Sequence, residues 1–164
     1  MVSSSSDEDA FRLVFVCTGN TCRSPMAEAI ARGRAAELGY DVEVRSAGVG
    51  AFPGAPASEG ALRAAEAHGL DLSGHRSTLL TAELAEQADL ILAMTPSHLM
   101  RIVELGAGDR AALLTSYAGG SDEGTGGSIP DPIGGPDEEY LETFRTLDEL
   151  IGRVLARLEG VLTK

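Results

Sequence analysis

Residues 13–25 read Leu-Val-Phe-Val-Cys-Thr-Gly-Asn-Thr-Cys-Arg-Ser-Pro, and this stretch decides how the chain folds. Its apolar beginning, residues 13–16, predicts a short buried strand that ends at Cys17. A polar turn follows. Ser24 and Pro25 then form a pair typical of a helix start, with serine as the N-cap and proline as the first helical residue. We therefore expect a strand, a tight turn and a helix in direct succession.

Apolar runs and helical patterns alternate along the rest of the chain. The first helix is expected to end near Leu38, because Gly39 follows it. Further strands are predicted at residues 42–45, 90–94 and 112–115. Further helices are predicted at 57–67, 81–87 and 96–105, and as a long amphipathic segment after Pro136. Strands that alternate with helices and are mostly apolar predict a parallel sheet covered on both faces.

The expected fold is therefore a single α/β domain, Rossmann-like, with a four-stranded parallel sheet and helices on both faces. In such sheets, ligands bind at the carboxyl ends of the strands. Cys17 lies at the carboxyl end of the first predicted strand. A glycine-rich loop is predicted at 119–128, shortly before Asp131 and Pro132. We expect the last strand and this loop to bring Asp131 to the same edge as Cys17.

Length and charge narrow the possible partners. The 164 residues suit one domain, and the formal net charge of −12 argues against a nucleic-acid partner. The first ten residues, MVSSSSDEDA, lack the basic and apolar segments of a secretory signal. We expect residues 1–10 to be a disordered acidic leader and residues 11–164 to be the functional domain. The apolar runs are too short to span a bilayer, so we expect a cytoplasmic protein with no membrane partner.

The two cysteines, Cys17 and Cys22, are too few for a disulfide scaffold or a cysteine-based zinc site. One interpretation is that both simply pack in the core as small apolar residues. The other interpretation is chemical, since both lie in the polar turn between the predicted strand and helix. A turn of this kind points backbone N–H groups and the positive end of the helix dipole toward a bound anion.

Residues 17–24 combine the groups that phosphate-ester hydrolysis needs. The guanidinium of Arg23 can hold two phosphate oxygens at once, and the same positive field favours the thiolate form of Cys17. Gly19 and Asn20 permit a tight turn, and Ser24 can donate a hydrogen bond to the thiolate. Because these groups supply the positive field, we expect no metal or cofactor. The expected phosphate-binding residues are Thr18, Gly19, Asn20, Thr21, Cys22, Arg23 and Ser24.

Residues 17–28, together with Asp131-Pro132, resemble the low-molecular-weight protein phosphatase family. The resemblance extends from about Phe11 to the last helix. It implies that Cys17 is the nucleophile, Arg23 the phosphate clamp and Asp131 the general acid. The reaction would pass through a cysteinyl-phosphate intermediate on a phosphorylated protein substrate. We expect a monomer.

The resemblance also implies roles for residues around the loop. Asn20 and Ser24 would shape the loop and support the thiolate. Ser46 and His75 match positions that, in the family, tie the loop's asparagine in place by hydrogen bonds. His75 fits a purely structural histidine equally well.

Within the family, the sequence is most similar to the bacterial protein-arginine phosphatase branch. In that branch a threonine at the position of Thr21 acts as a polar selectivity filter, and the aspartate can pair with the guanidinium. The branch usually has phenylalanine after Asp-Pro, where this chain has Ile133. A hydroxyl at Thr21 suits the polar phosphoguanidinium group, whereas a phenyl ring prefers an apolar rim.

Other functions remain open at this level. A protein-tyrosine phosphatase of the same family is the main alternative. An arsenate reductase is less favoured because no cysteine follows Cys22. A phosphoprotein-binding module would need neither Cys17 nor Asp131. The spacing of the two cysteines also predicts a reversible Cys17–Cys22 disulfide under oxidation, with the buried-core role of Cys22 as the alternative.

Overall fold

The computed structural model describes residues 10–119 and 127–163. Four strands form one sheet, and every pairing in it is parallel. In chain order the strands are β1 (Phe11–Cys17), β2 (Val42–Gly48), β3 (Leu90–Ala93) and β4 (Ala111–Leu113), and in space they lie in the order β2-β1-β3-β4. The predicted four-stranded parallel sheet is therefore confirmed.

Seven α-helices connect or cover the strands in the described part of the chain, and a 3₁₀ turn at Gly108–Arg110 precedes β4. They are α1 (Arg23–Leu38), α2 (Glu59–Ala67), α3 (Ala82–Gln87), α4 (Pro96–Glu104), α5 (Leu114–Tyr117), α6 (Asp137–Arg157) and α7 (Glu159–Leu162). Within the described residues, no helix is both long and apolar enough to cross a membrane. Residues 1–9 of the predicted leader and 120–126 of the predicted glycine-rich loop lie outside the described residues.

Side chains of the central strand β1 alternate between two apolar clusters, one on each face of the sheet. Leu13 and Phe15 belong to the larger cluster, which also contains residues of α1, α2 and α6. Val14 and Val16 belong to the smaller cluster, with residues of α3 and α4. Because both faces of β1 are covered, its run of apolar residues shows no polar alternation. The central position of β1 places Cys17, its last residue, in the middle of the carboxyl edge.

The predicted start of α1 is wrong. The helix begins at Arg23 with Cys22 as its N-cap, and the cap makes no side-chain hydrogen bond. The hydroxyl of Ser24 instead contacts other residues of the turn, so it does not cap the helix. Pro25 is still accommodated, since the first N–H groups of a helix have no intrahelical partner to lose. The predicted end is confirmed, because Gly39 has a left-handed φ of 72° and follows Leu38.

The fourth strand is shorter than predicted. It covers Ala111–Leu113, and the chain then turns at once into α5. Leu114 and Thr115 are therefore helical, although both are buried. An apolar run of this length does not by itself distinguish a strand from a buried helical turn.

Candidate active site

The segment between β1 and α1 forms a turn with a buried thiol at its start. Cys17 is 2% exposed, and its Sγ lies 2.8 Å from Oγ of Ser24. No side chain of the N-cap accepts a hydrogen bond from the first N–H groups of α1. These N–H groups and the positive end of the helix dipole favour an anion next to the thiol.

Asn20 fixes the shape of the turn. Among the described residues other than glycine, Asn20 alone has a left-handed backbone, with φ at 56°. Its Nδ2 donates to Oγ of Ser24 at 2.8 Å and to Oγ of Ser46 at 2.9 Å, while its Oδ1 accepts from the N–H of Thr78 at 2.8 Å. Its carbonyl oxygen lies 2.7 Å from Nε2 of His75. These bonds offset the cost of the left-handed conformation. Ser46 and His75 thus contact Asn20 as the resemblance implied, although their functional roles remain predictions.

The hydrogen bonds around Asn20 have a defined direction that ends at the thiol. Ser46 donates to Oε1 of Glu28 at 2.6 Å, because a carboxylate only accepts. Ser46 must then accept from Asn20, and Ser24 accepts from the other N–H of the same amide. The hydroxyl hydrogen of Ser24 then has two acceptors within reach, and Sγ of Cys17 at 2.8 Å is closer than the carbonyl oxygen of Ala47 at 3.5 Å. A hydrogen bond in this direction stabilises a thiolate.

The sequence did not predict a role for Glu28 in the site. In the sequence it is only the last residue of the motif in residues 17–28. The structure gives it two partners, Ser46 and Arg32, the latter at 2.7 Å. The spacing of four residues between Glu28 and Arg32 was a readable signal of an ion pair on one helix face. The contact with Ser46 joins two elements and has no local signal.

Gly48 allows the turn to lie directly against β2. A Cβ atom at this position would overlap the carbonyl oxygen of Thr18 and lie 2.9 Å from the backbone nitrogen of Asn20. The adjacent backbone also holds the turn, since the N–H of Gly50 donates to the Thr18 carbonyl at 2.9 Å. A residue with a side chain cannot occupy position 48 without displacing the backbone of the turn.

Arg23 and Asp131 meet at the same edge of the sheet. The guanidinium of Arg23 is buried, and its Nη1 donates to the carbonyl of Ile129 at 2.9 Å. Its Nη2 lies 3.5 Å from Oδ2 of Asp131, whose side chain is 40% exposed. Oδ1 of Asp131 accepts from the N–H of Ile133 at 3.1 Å. The expected approach of Asp131 to the loop of Cys17 is therefore present, with the carboxyl group on the solvent side of the guanidinium.

The two residues predicted to set specificity lie at the surface. Thr21 is partly exposed, and its carbonyl accepts from the N–H of Ser58 at 2.9 Å. Ile133 is 62% exposed. Phe52 is 85% exposed on the loop that follows β2, and the sequence analysis assigned it no role. The carbonyl of Phe52 accepts a hydrogen bond from the hydroxyl of Ser77, which fixes the backbone of that loop.

Cys22 lies in the same apolar cluster as Cys17 but has different polar neighbours. Both cysteines are free and buried. The Sγ of Cys22 lies 3.1 Å from Oγ of Ser58 and 3.6 Å from the hydroxyl of Tyr140. Burial raises the pKa of Tyr140, so this hydroxyl stays protonated near the thiol. Oxidation of the two cysteines to a disulfide remains a prediction.

His98 is a residue of this site that sequence reasoning missed. Its side chain is buried, and its Nε2 lies 2.8 Å from Oγ1 of Thr18. Burial lowers the pKa of His98 to about 4, and the nearby charge of Arg23 acts in the same direction. The sequence does contain one relevant pattern, because Thr95 and Pro96 are typical of a helix N-cap and first helical residue and they follow a strand. That pattern places His98 in the first turn of a helix at the carboxyl edge.

The arrangement brings together a thiol, an anion-binding turn, a buried guanidinium and a carboxyl group. These are the groups needed for nucleophilic attack on a bound phosphoryl group with proton transfer to the leaving group. The site is thus of the kind found in cysteine-dependent phosphatases.

Comparison with known proteins agrees with the geometry. Residues 12–162 match the family described as low molecular weight phosphotyrosine protein phosphatase. A protein-arginine-phosphatase of Bacillus subtilis is 42% identical over 150 residues, which cover 90% of this chain and 96% of that protein. A low molecular weight protein-tyrosine-phosphatase, PtpB of Staphylococcus haemolyticus, is 36% identical, with 87% and 96% covered.

A solved structure adds chemical detail. It is a variant of an arginine phosphatase, YwlE, in which the serine that replaces a cysteine of the active site is phosphorylated. It superposes with a TM-score of 0.82 at 40% identity and covers 91% of this chain and 96% of that one. This chain belongs to the low-molecular-weight phosphatase family, and it is a cysteine-dependent protein phosphatase.

Proposed function

We propose that this enzyme hydrolyses phosphoarginine residues in proteins, with Cys17 as the nucleophile. The observation that carries the proposal is the polar Thr21 at the exposed side of the phosphate-binding turn. A phosphoguanidinium group carries N–H groups up to the bond that breaks, and an apolar rim would remove water from them without replacing the lost hydrogen bonds. The names of relatives from Bacillus subtilis and Geobacillus stearothermophilus, both protein-arginine-phosphatases, support the same substrate class.

The first step forms a covalent intermediate. The thiolate of Cys17 attacks phosphorus while Arg23 and the N–H groups of the turn hold the phosphoryl oxygens. The bond from phosphorus to the guanidinium nitrogen breaks with its electron pair on nitrogen, and Asp131 gives that nitrogen a proton. The products of this step are a free arginine side chain and a cysteinyl-phosphate.

The second step returns the enzyme to its starting state. Asp131, now a carboxylate, accepts a proton from a water molecule that attacks phosphorus. The bond between sulfur and phosphorus breaks, inorganic phosphate forms, and the sulfur leaves as a thiolate. The hydroxyl hydrogen of Ser24 stabilises this leaving thiolate, because Ser24 accepts from Asn20 and Sγ of Cys17 is the nearer of the two acceptors for its hydrogen.

Asp131 suits the arginine substrate in a second way. Its carboxyl group lies on the solvent side of Arg23, with Nη2 and Oδ2 3.5 Å apart. A carboxylate accepts hydrogen bonds from a guanidinium in a bidentate manner. While it still holds the proton that it donates, the carboxyl group can accept one hydrogen bond from the substrate's guanidinium, and the carboxylate formed in the first step can pair with the guanidinium of the arginine product.

Hydrolysis of phosphotyrosine is the second candidate. The exposed apolar side chains of Ile133 and Phe52 favour it, since they offer surface to a phenyl ring. The name of the relative from Staphylococcus haemolyticus, a protein-tyrosine-phosphatase, is consistent with it. The two candidates share every step except the atom that receives the proton.

The deciding experiment compares two peptides of one sequence, one with phosphoarginine and one with phosphotyrosine. We expect kcat/KM to be higher for phosphoarginine. Cys17→Ser should abolish turnover of both, and Ser97→Ala, an exposed change on α4, serves as the folded control. A clear preference for phosphotyrosine would reject the arginine assignment, whereas turnover by Cys17→Ser would reject the mechanism.

Location and assembly complete the proposal. We place the enzyme in the cytoplasm, because a thiolate nucleophile needs a compartment that keeps cysteines reduced. We also propose that it acts as a monomer. Sedimentation velocity at assay concentration measures the assembly state directly.

A further inference from the structure

His98 is a buried histidine that the two-step reaction does not use. It is 3% exposed, whereas His68 is exposed and His75 partly so. Its Nδ1 is buried and has no hydrogen-bond partner among the described residues. An unpaired buried nitrogen opposes folding, so an apolar residue of similar size would be the better choice for packing alone. The presence of histidine therefore calls for a reason other than packing.

The contact of His98 supplies that reason. Its Nε2 lies 2.8 Å from Oγ1 of Thr18, the residue that follows the nucleophile. Asn20 is held from the β2 side of the turn by Ser46 and by the backbone of Thr78. His98 belongs to α4, which follows β3, so it reaches the turn from the opposite side of β1. The turn is thus fixed at two residues, Thr18 and Asn20, from the two sides of β1.

The charge state of His98 fits this contact. The groups that act on it electrostatically are Arg23 on α1 and Asp131 in the loop before α6. Burial and the charge of Arg23 both lower its pKa, so the imidazole is neutral at physiological pH. A neutral ring can hold the hydroxyl of Thr18 without adding a cation next to the carboxyl group of Asp131.

We propose that His98 is a positioning residue of the phosphate-binding turn. By holding the hydroxyl of Thr18, it fixes the backbone between Cys17 and Gly19. This backbone is part of the turn whose N–H groups would donate hydrogen bonds to the phosphoryl oxygens. His98 contacts the hydroxyl of Thr18, so it would act on the reaction through the turn. The inference rests on the proposed role of residues 17–24 as a phosphate cradle.

The test uses His98→Leu, His98→Gln and Thr18→Val, with Met100→Ala as a control on the same helix, because Met100 is 62% exposed. The probe is inorganic phosphate as a competitive inhibitor, measured together with kcat, KM and the thermal unfolding midpoint. We expect His98→Leu to raise the inhibition constant for phosphate and the KM by about 3- to 10-fold, the effect of one neutral hydrogen bond. Glutamine can still reach the hydroxyl and should restore most of the affinity.

The double variant of His98→Leu with Thr18→Val separates positioning from general packing. We expect it to bind phosphate no more weakly than the weaker single variant, since both remove the same bond. Additive losses would overturn the proposal. A lower unfolding midpoint in His98→Leu with an unchanged inhibition constant would also overturn it. Cys17→Ser tests the cradle chemistry separately, so an inactive Cys17→Ser beside a normal His98→Leu would reject only the role of His98.

Discussion

Removing the hydroxyl of Ser24 should slow the second chemical step more than the first. In Ser24→Ala, the leaving thiolate of Cys17 loses a hydrogen bond of 2.8 Å. A hydrogen bond to a charged group contributes about 1.5–3 kcal/mol, which corresponds to about 10- to 150-fold in rate. Both residues are buried, at 0% and 2% exposure, so water cannot replace the lost donor and we expect the upper half of this range.

The assay is rapid mixing with an aryl phosphate. We expect a burst of about one aryl alcohol per enzyme, followed by a steady rate reduced by about 30- to 150-fold, because the cysteinyl-phosphate accumulates. Ser97→Ala is the matched control, since its hydroxyl bonds to Thr95, the N-cap of α4, rather than to the turn. A Ser24→Ala enzyme with the unfolding midpoint and kcat of the wild type would refute the direction assigned to the hydrogen bonds.

Four further changes test other parts of the site. Asp131→Asn should lower kcat by about 100-fold or more through loss of the acid, measured with phosphopeptides, and an unchanged rate would remove Asp131 from the mechanism. Thr21→Ile should depress hydrolysis of phosphoarginine and spare that of phosphotyrosine; equal losses on both peptides would contradict its selective role. Cys22→Ser should recover less activity than the wild type after peroxide followed by a reductant, because it cannot form the predicted disulfide with Cys17. Equal recovery of both proteins would show that Cys22 has no protective role. Gly48→Ala should weaken phosphate affinity by displacing the turn, and wild-type inhibition by phosphate would show that the turn can adjust.

The local parts of the fold could be predicted from the sequence, because each has a signal within a few residues. The apolar run before Cys17 predicted β1, and Gly39 predicted the end of α1. The N-cap of α1 was missed for a physical reason. Ser24 forms tertiary hydrogen bonds with Cys17 and Asn20, and these override its preference for a capping position.

Contacts between distant parts of the chain were harder to predict. The approach of Asp131 to Arg23 followed from the rule that parallel strands end at one edge. The bond from Thr78 to Asn20 uses a backbone N–H, which every residue except proline carries, so no sequence pattern marks it. His98 was missed because its neutral form and its contact with Thr18 depend on burial, which one sequence does not reveal.

The left-handed backbone of Asn20 has a consequence for the order of folding. Its partners lie 26, 55 and 58 residues further along the chain, at Ser46, His75 and Thr78. Contacts of such separation form only after the intervening loops have closed, and closing them costs entropy that local helices do not require. The turn of residues 17–24 therefore acquires its shape after β2 has paired with β1 and the segment around Thr78 has paired with Gly48 at the end of β2. During refolding, we expect hydrolytic activity to appear later than helical circular dichroism, so that activity reports the completion of folding.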